Sequence, residues 1–379
     1  MKVVYCLAGT FNPGGMERIV IKKANWLANN NFDVVIITTE QQGRKSFFDI
    51  DGKIKCIDLG INYSDSQDNF IKKALQRRRK LNIHKQRLST ILKAERPQIT
   101  ISTFGNEVFF LYKINDGSKK IVEIHFSRWF RLQMESRHLL WKVVNIYLTL
   151  RDRHYVKRYN AFVCLTNEDK GYWGGLNNIR VIPNFIDDSS KARSSLSSKR
   201  VISVGRLEYQ KGYDRLIKAW KAVNSKCPDW RLCIFGSGSL KVYLLNLITV
   251  LGVEKSVDIS NSTTDIYKEY IDSSFLVMSS RYEGLPMVIL EAMDAGLPIV
   301  SFDCKCGPRD LIKDGINGYI VPNGDIAKLS DRIVELIENQ ELRNNMGEQS
   351  RLLSNKYRES AIMPKWVSLF NECIESCKI

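Results

Sequence analysis

The sequence is poor in the signatures that define several large protein classes. Its nine cysteines are scattered along 379 residues without a Cys-x-x-Cys pair, so they match neither a disulfide framework nor a structural zinc site. The phosphate-loop motif Gly-x-x-x-x-Gly-Lys-Ser/Thr is absent. Gly236 and Gly238 are followed by Lys241 where a dinucleotide-binding loop needs its third glycine. These absences exclude a P-loop NTPase and leave a dinucleotide site unsupported.

Long hydrophobic runs are missing as well. The apolar stretch at residues 3–8 is shorter than the core of a signal peptide, and the stretch at residues 139–150 is interrupted by Lys142 and Asn145. A membrane-spanning helix needs roughly 20 apolar residues. We therefore expect a protein that does not span a membrane, and the unpaired cysteines favour the reducing cytoplasm.

Positive charge is what the sequence has in excess. It contains 57 Lys and Arg against 41 Asp and Glu, which gives a formal net charge of +16. Residues 1–190 hold 31 basic and 18 acidic side chains, whereas residues 191–379 hold 26 and 23. Most of the excess lies in residues 66–96 and 125–158. An anionic partner is expected to meet these two segments.

Short β-branched runs alternate with longer amphipathic stretches along the whole chain, which predicts parallel sheets covered by helices. One series of predicted strands comprises residues 3–7, 34–38, 99–102 and 161–165, and a second comprises residues 201–204, 232–235, 275–278 and 298–301. A segment with six serines in eleven residues, 189–199, separates the two series. The chain is thus predicted to be an α/β protein with two Rossmann-like, doubly wound domains that meet near residue 190.

Ligands of such sheets bind beyond the carboxyl ends of the strands, where loops lead into helix N-termini. One loop of this kind, residues 9–18, contains Gly14 and Gly15, and another, residues 205–212, contains Arg206 and Lys211. A guanidinium fork and an ammonium on one loop could clamp a diphosphate. Two solvated surface cations are the alternative interpretation.

A third loop, residues 279–286, contains Glu283 and leads into an apolar run at residues 287–293 that includes Glu291. A carboxylate in such a run is costly to bury without a partner. A buried ion pair or a helix edge would explain Glu291, and so would hydrogen bonds from ligand hydroxyls. If all eight residues were helical, the two glutamates would lie ~12 Å apart, beyond the ~5–9.5 Å of a glycosidase carboxylate pair.

The loops and their order resemble glycosyltransferase family 4, whose members are retaining enzymes of the GT-B fold. The matching motifs are Gly14-Gly15-Met16-Glu17-Arg18, Val181-Ile182-Pro183-Asn184, Val204-Gly205-Arg206 with Lys211-Gly212, Glu283-x7-Glu291, and Asp314-Gly315-x-Asn317-Gly318. They span nearly the whole chain. The segment at residues 301–312 is similar to members that build capsule, exopolysaccharide or lipopolysaccharide.

The resemblance implies a role for each matched residue. Arg206 and Lys211 would stabilise the leaving diphosphate, Glu283 would bind the donor sugar, and His125 would lie near that sugar. The other donor-binding residues implied are Gly15, Asn184, Gly284, Leu285, Pro286, Met287 and Glu291, with Glu291 holding the ribose. Ser260-Asn261 stands where the family usually has a glycine, so the contacts to the base stay open.

The resemblance also implies the reaction and its components. A hexose or N-acetylhexosamine would pass from a UDP-sugar to a lipid-linked or oligosaccharide acceptor, without a cofactor, a metal or a covalent nucleophile. Asp49-Ile50-Asp51 is interpreted as a turn. Residues 1–190 would bind the acceptor, residues 191–357 would bind the nucleotide sugar, and a final helix in residues 358–379 would cross back to the first domain.

The basic segments are predicted to touch an anionic membrane on its inner face. The residues proposed for this acceptor and membrane surface are Arg77, Arg78, Arg79, Lys80, Arg128, Trp129 and Arg131. An ordinary solvated helix face remains the alternative. Two other functions stay open: a nucleotide-sugar epimerase of the same fold, and a nucleic-acid-binding protein, against which the lack of any usual nucleic-acid motif argues.

Overall fold

The computed structural model describes residues 1–64, 70–133, 139–188, 192–263 and 265–375. These residues form two parallel β-sheets, one of seven strands and one of six. The predicted class, an α/β protein with two doubly wound parallel sheets, is confirmed. The beginning of the serine-rich connection, residues 189–191, lies outside the described residues.

The first sheet has the strand order β3-β2-β1-β4-β5-β6-β7. Its strands are β1 (Lys2–Leu7), β2 (Asp33–Thr38), β3 (Lys55–Asp58), β4 (Ile99–Ser102), β5 (Lys119–Glu123), β6 (Ala161–Cys164) and β7 (Ile179–Val181). Its helices are α1 (Gly15–Asn29), α2 (Phe70–Glu95), α3 (Phe130–Gln133), α4 (Leu139–Val156) and α5 (Asn167–Trp173). Two short 3-10 turns, Asn106–Phe109 and Leu111–Lys113, follow β4.

The second sheet has the order β10-β9-β8-β11-β12-β13. Its strands are β8 (Arg200–Val204), β9 (Arg231–Phe235), β10 (Val257–Ser260), β11 (Phe275–Met278), β12 (Ile299–Phe302) and β13 (Gly318–Val321). The helices are α6 (Tyr213–Lys226), α7 (Lys241–Leu251), α8 (Ile266–Ile271), α9 (Met287–Asp294), α10 (Pro308–Leu311), α11 (Ile326–Glu338), α12 (Gln340–Ser354) and α13 (Glu359–Glu375).

Neighbouring strands β8 and β11 define the point where the winding of the second sheet reverses. Helix α6, which follows β8, packs on one face of the sheet, and helix α9, which follows β11, packs on the other. Loops after two such strands diverge and leave a crevice at their carboxyl ends, where ligands of doubly wound sheets bind. The loops at this crevice are residues 205–212 and 279–286, which contain Lys211 and Glu283.

Helix α13 leaves the second domain and packs on the first. Its apolar side chains, among them Trp366 and Phe370, share one core with Tyr5 of β1 and Val20 of α1. At the crossing, Arg358 donates hydrogen bonds to the backbone oxygen of Asp187 (2.7 Å) and to Oδ1 of Asp294 (2.6 Å). The C-terminal helix therefore completes the hydrophobic core of the N-terminal sheet.

Helix α4 carries an exposed apolar face. Exposed side chains recur at Val143, Ile146, Tyr147 and Leu150, which is the spacing of one helical stripe. Trp141 precedes them with 54% of its surface exposed. Within the described parts of the chain, no helix combines the length and the apolar character needed to cross a membrane.

Candidate active site

The crevice of the second domain contains an ion pair between its two loops. Lys211 Nζ lies 2.6 Å from Glu283 Oε1, and the Ser280 hydroxyl donates to the same carboxylate oxygen at 2.6 Å. The Lys211 and Glu283 side chains are 15% and 8% exposed. Lys211 keeps part of its surface exposed whereas Glu283 is buried, so Lys211 is the more accessible of the two charges.

Gly212 fixes the approach of the two loops. Its φ of +65° is left-handed, and a Cβ at this position would come within 2.2 Å of the Ser279 backbone oxygen. The Ser279 hydroxyl also donates to the backbone oxygen of Lys211 at 2.9 Å. A side chain at residue 212 would separate the loops and pull Lys211 away from Glu283.

Arg206 does not join this pair. Its side chain is exposed and donates to Gln210 Oε1 at 3.2 Å, on the outer part of the same loop. A third cation, Arg281, is neutralised by two hydrogen bonds to Asp214 at 3.0 and 2.9 Å. Of the cations on these two loops, Lys211 is therefore the one held against Glu283, and Arg206 is the one free to reorient.

The first domain approaches the crevice through the segment after β5. A Cβ on Gly284 would lie 2.5 Å from the His125 backbone oxygen and 3.0 Å from Phe126 Cα. Glycine at position 284 thus allows the loop with Glu283 to contact the segment with His125. The structure brings together Lys211, Glu283, Gly284 and His125, as a shared site requires.

Glu291 is paired across the domains. Its carboxylate contacts the Arg18 guanidinium of α1 and accepts a hydrogen bond from the Tyr270 hydroxyl at 3.1 Å. The attraction of Glu291 raises the pKa of Arg18, although burial acts in the opposite direction. The ion pair that the sequence left open as one explanation of Glu291 therefore exists. Arg18, Tyr270 and Glu291 also line an interdomain cavity of about 450 Å³.

The other residues that the sequence predicts to bind the donor differ in burial. Gly15 opens α1, and a Cβ there would meet nothing within 4 Å, so this helix N-terminus has open space beside it. Asn184 and Leu285 are buried, at 6% and 7% exposure. Met287 is the first residue of α9 and Pro286 is its N-cap.

The predicted membrane surface is only partly on the surface. Arg77, Arg78 and Arg79 are exposed and Lys80 is half-buried, with its ammonium donating to the Asn62 backbone oxygen. The prediction that Arg128 lies at the surface is wrong, since this residue is only 8% exposed. Its guanidinium stacks on Trp173 at 5.2 Å, and its backbone N–H donates to Asp169 at 2.8 Å.

The neighbours of Arg128 contribute less charge than the sequence suggested. Arg131 pairs with Asp152, which neutralises it, and Trp129 is half-buried beneath the Arg128 guanidinium at 4.8 Å. Among the residues predicted for this surface, the exposed cations are therefore Arg77, Arg78 and Arg79 of α2, and the exposed apolar area belongs to α4. Aromatic and basic residues in one segment were not enough to predict which of them face solvent.

Sequence reasoning missed three residues that hold the site together: Arg18, Tyr270 and Ser280. Arg18 had a readable signal, since it lies one turn inside the helix that follows Gly14-Gly15. Tyr270 had none, because its partner Glu291 belongs to another helix, whereas Ser280 lies three residues before Glu283 on the same loop. No group of three or more His, Cys, Asp or Glu that could hold a metal occurs among the described residues. Asp51 accepts a hydrogen bond from the Lys53 backbone at 2.9 Å, as in a turn.

Comparison with known proteins agrees with this geometry. The model of the family described as glycosyl transferases group 1 matches residues 185–353. An uncharacterized glycosyltransferase of Haemophilus influenzae is 32% identical over 371 residues, which cover 96% of this chain and 98% of the relative. The amylovoran biosynthesis glycosyltransferase AmsD of Erwinia amylovora is 28% identical over 98% of this chain and 99% of its own length.

Solved structures match over the whole chain at low identity. TarM of Staphylococcus aureus has a TM-score of 0.79 and 18% identity, with 98% of this chain and 99% of that one covered. Sucrose-phosphate synthase of Thermosynechococcus elongatus has a TM-score of 0.83 and 14% identity, with 99% of both chains covered. The two facing parallel sheets are thus a GT-B fold. The chain belongs to the group 1 glycosyltransferases.

Proposed function

We propose that this glycosyltransferase is a retaining enzyme of family 4 that transfers a hexose or N-acetylhexosamine from a UDP-sugar. Its acceptor would be a lipid-linked or saccharide intermediate of a bacterial surface polysaccharide. The observation that carries the proposal is the pair Lys211–Glu283 between the loops after β8 and β11, with the His125 backbone close to the neighbouring Gly284. A cation for the leaving diphosphate and a carboxylate for sugar hydroxyls are adjacent there, as transfer from a nucleotide sugar requires.

Relatives and structural neighbours support the choice of substrates. AmsD is named for amylovoran biosynthesis, and a partial relative from S. aureus is a poly(ribitol-phosphate) alpha-N-acetylglucosaminyltransferase. TarM and HepE were solved in complex with UDP. A UDP-sugar donor and a polysaccharide product are consistent with these names.

The site residues would divide the work of the transfer by their charge. A donor diphosphate would compete with Glu283 for the Lys211 ammonium, and Arg206 could reorient to add a bidentate contact. The carboxylate of Glu283, once released, could accept hydrogen bonds from sugar hydroxyls. Stabilising the negative charge that develops on the diphosphate is the main electrostatic task.

Membrane attachment is the second part of the proposal. Helices α2 and α4 both contact the 3-10 turn 106–109: Arg77 donates to Asn106 at 3.2 Å, and Arg151 lies 4.7 Å from the ring of Phe109. The cations of α2 and the exposed apolar stripe of α4 therefore flank one turn. An amphipathic face with adjacent cations suits peripheral binding to the anionic inner face of a membrane.

The transfer is tested by UDP release from a panel of UDP-sugars with a bacterial lipid extract. Wild type should release UDP from one donor in preference to the others, and Glu283→Gln should lose most of that turnover. Lys226→Met is the matched control, because Lys226 is an exposed lysine of the same domain, 3.8 Å from Asp331. Equal turnover by Glu283→Gln and the control would refute the assigned site, and an inverted anomeric centre in the product would refute retention.

The membrane proposal is tested by co-sedimentation with vesicles that contain anionic lipid. Neutralising Arg77, Arg78 and Arg79 should lower binding, by about 1 kcal/mol per cation near the surface. Replacing Val143 and Leu150 by serine should lower it further without changing the charge. Unchanged binding in both variants would exclude this face.

A further inference from the structure

A second lysine–glutamate pair lies inside the first domain, and neither of its residues has been assigned to substrate binding. Lys23 of α1 contacts the carboxylate of Glu123, the last residue of β5. The two side chains are 2% and 0% exposed. A buried ion pair is expensive to form, and its replacement by apolar side chains is often neutral or stabilising. Stability alone therefore does not explain the pair, and Glu123 lies two residues before the predicted site residue His125.

Aromatic side chains enclose the pair and separate it from solvent. The Trp366 ring of α13 lies 4.2 Å from the Lys23 ammonium, and the Tyr5 ring lies 5.6 Å away. Burial alone would raise the pKa of the Glu123 carboxyl, but the attraction of the Lys23 ammonium is the largest opposing contribution, and the pKa is lowered to about 2. Glu123 is therefore ionised at neutral pH, and an ionised carboxylate can only accept hydrogen bonds.

Glu123 presents its second oxygen to His125. His125 Nε2 lies 3.5 Å from Glu123 Oε1. The His125 side chain is 5% exposed, and neither ring nitrogen has a hydrogen-bond partner among the described residues. Glu123 Oε1 also lacks any other partner there. The carboxylate and the ring edge thus face each other with no competing group.

We propose that Glu123, supported by Lys23, is a positioning residue that holds His125 as the Nε2–H tautomer. A carboxylate next to Nε2 favours a proton on that nitrogen, which leaves a lone pair on Nδ1. Both ring nitrogens are buried, so the ring acts through its position: it keeps the His125 backbone oxygen close to Gly284, beside the proposed donor-sugar site. This role rests on the proposed function, because it places the donor sugar beside His125.

The tautomer can be measured without substrate. The chain has four histidines, so ¹⁵N labelling of the imidazole rings gives few signals, and His125→Gln identifies the one from His125. We expect wild type to show the Nε2–H pattern. The double variant Lys23→Met/Glu123→Leu removes both charges together, which avoids leaving one of them buried alone. In this variant the His125 signal should lose its Nε2–H preference.

Kinetics separate positioning from stability. The double variant should lower kcat about tenfold or more, the range seen when a partner that orients a histidine is removed, while KM for the donor stays within about threefold. Lys23→Met/Glu123→Gln keeps an oxygen that can accept from Nε2–H, so it should recover part of kcat. A kcat within twofold of wild type together with an unchanged tautomer would overturn the proposal.

The matched control is the buried pair Lys120–Asp116 at the other end of β5, whose side chains are 5% and 0% exposed. Lys120→Met/Asp116→Leu should change the melting temperature to a similar extent but leave kcat and the His125 tautomer as in wild type. In a His125→Gln background, the Lys23/Glu123 substitutions should lower kcat by less than about twofold, because Glu123 acts through His125. A full additional loss in that background would contradict the proposal.

The two proposals fail in different ways. If wild type transfers no sugar but His125 shows the Nε2–H tautomer, the proposed function fails and the positioning of His125 stands. If wild type is active and His125 shows no dependence on Glu123, the positioning fails and the proposed function stands.

Discussion

The two halves of the cleft each contain a lysine–glutamate pair, and the pairs differ in what surrounds them. Lys211–Glu283 lies between two loops of the second domain, with side chains 15% and 8% exposed. Lys23–Glu123 lies below the carboxyl edge of the first sheet, at 2% and 0%. The same two residue types therefore serve opposite purposes. Lys211–Glu283, the more exposed of the two pairs, can separate when a charged ligand binds. Separation of Lys23–Glu123 would leave two unsolvated charges.

Replacing each lysine in turn tests whether the two ion pairs differ in their contribution to stability. Lys23→Met should lower the free energy of unfolding by about 3–5 kcal/mol, because it leaves the Glu123 carboxylate buried and uncompensated. Lys211→Met should lower it by less, about 1–3 kcal/mol, because the Ser280 hydroxyl still donates to the Glu283 carboxylate and this pair is less completely buried. Urea unfolding followed by circular dichroism measures both. Equal destabilisation by the two variants would show that the pairs do not differ in the way their burial indicates.

The catalytic side of the comparison predicts the reverse order. Lys211→Met should lower kcat/KM for the donor by about 10²–10³-fold, which is the usual loss when one group that stabilises developing negative charge is removed. Steady-state UDP release is the measurement, with Lys226→Met as the control. Retention of more than a tenth of wild-type activity would mean that Arg206 or α1 stabilises the diphosphate instead.

A third ion pair is more exposed than the other two. Arg18 and Glu291, at 29% and 16%, join the domains. Arg18→Met should weaken donor binding a few-fold, near 1 kcal/mol, because Glu291 loses the cation that holds it in the cleft. Isothermal titration with UDP measures this loss. Arg180→Met, which removes an exposed contact to Glu372 of α13, should leave UDP affinity unchanged. An equal loss in both variants would point to a general effect of domain contacts.

The smallest expected effect concerns divalent metals. If Lys211 and Arg206 provide the positive charge for the diphosphate, EDTA should change turnover by less than about twofold. Asp49→Asn should be equally silent, because the backbone oxygen of Asp49 accepts a hydrogen bond from Asn25 and belongs to a turn. A rate restored only by Mg²⁺ or Mn²⁺ would mean that the cations of the second domain are insufficient.

The site in the second domain could be predicted because its information is local. Each loop follows a short apolar strand and precedes a helix, so Lys211 and Glu283 could be assigned to the carboxyl edge from the strand–helix pattern alone. The alternation did not identify β5, β7 or β13 as strands. Strand β5 begins with Lys119 and Lys120, β7 has three residues, and β13 begins with a glycine. Short or polar strands lack the apolar run that marks the others.

The enclosed pair could not be predicted because its information is not local. Lys23 and Glu123 are separated by 100 residues in the chain, and each in isolation resembles an ordinary solvated charge. The prediction for Arg128 was wrong in the opposite direction, because it placed a buried charge at the surface. A cation beside Trp129 indicated a surface, but Trp173, on another helix, covers it. Pairing and burial at such separations depend on the assembled sheet, which the spacing of residue types does not encode.

The position of Trp366 over the Lys23 ammonium also bears on how the chain is made. Helix α13 follows the whole second domain in chain order, yet its aromatic side chains close the core of the first. During synthesis the core of the N-terminal sheet therefore stays incomplete, with the Lys23–Glu123 pair not yet covered by α13, until some 200 further residues have been added. A nascent first domain in this state would be a natural substrate for chaperones, and the two domains would mature together rather than in sequence.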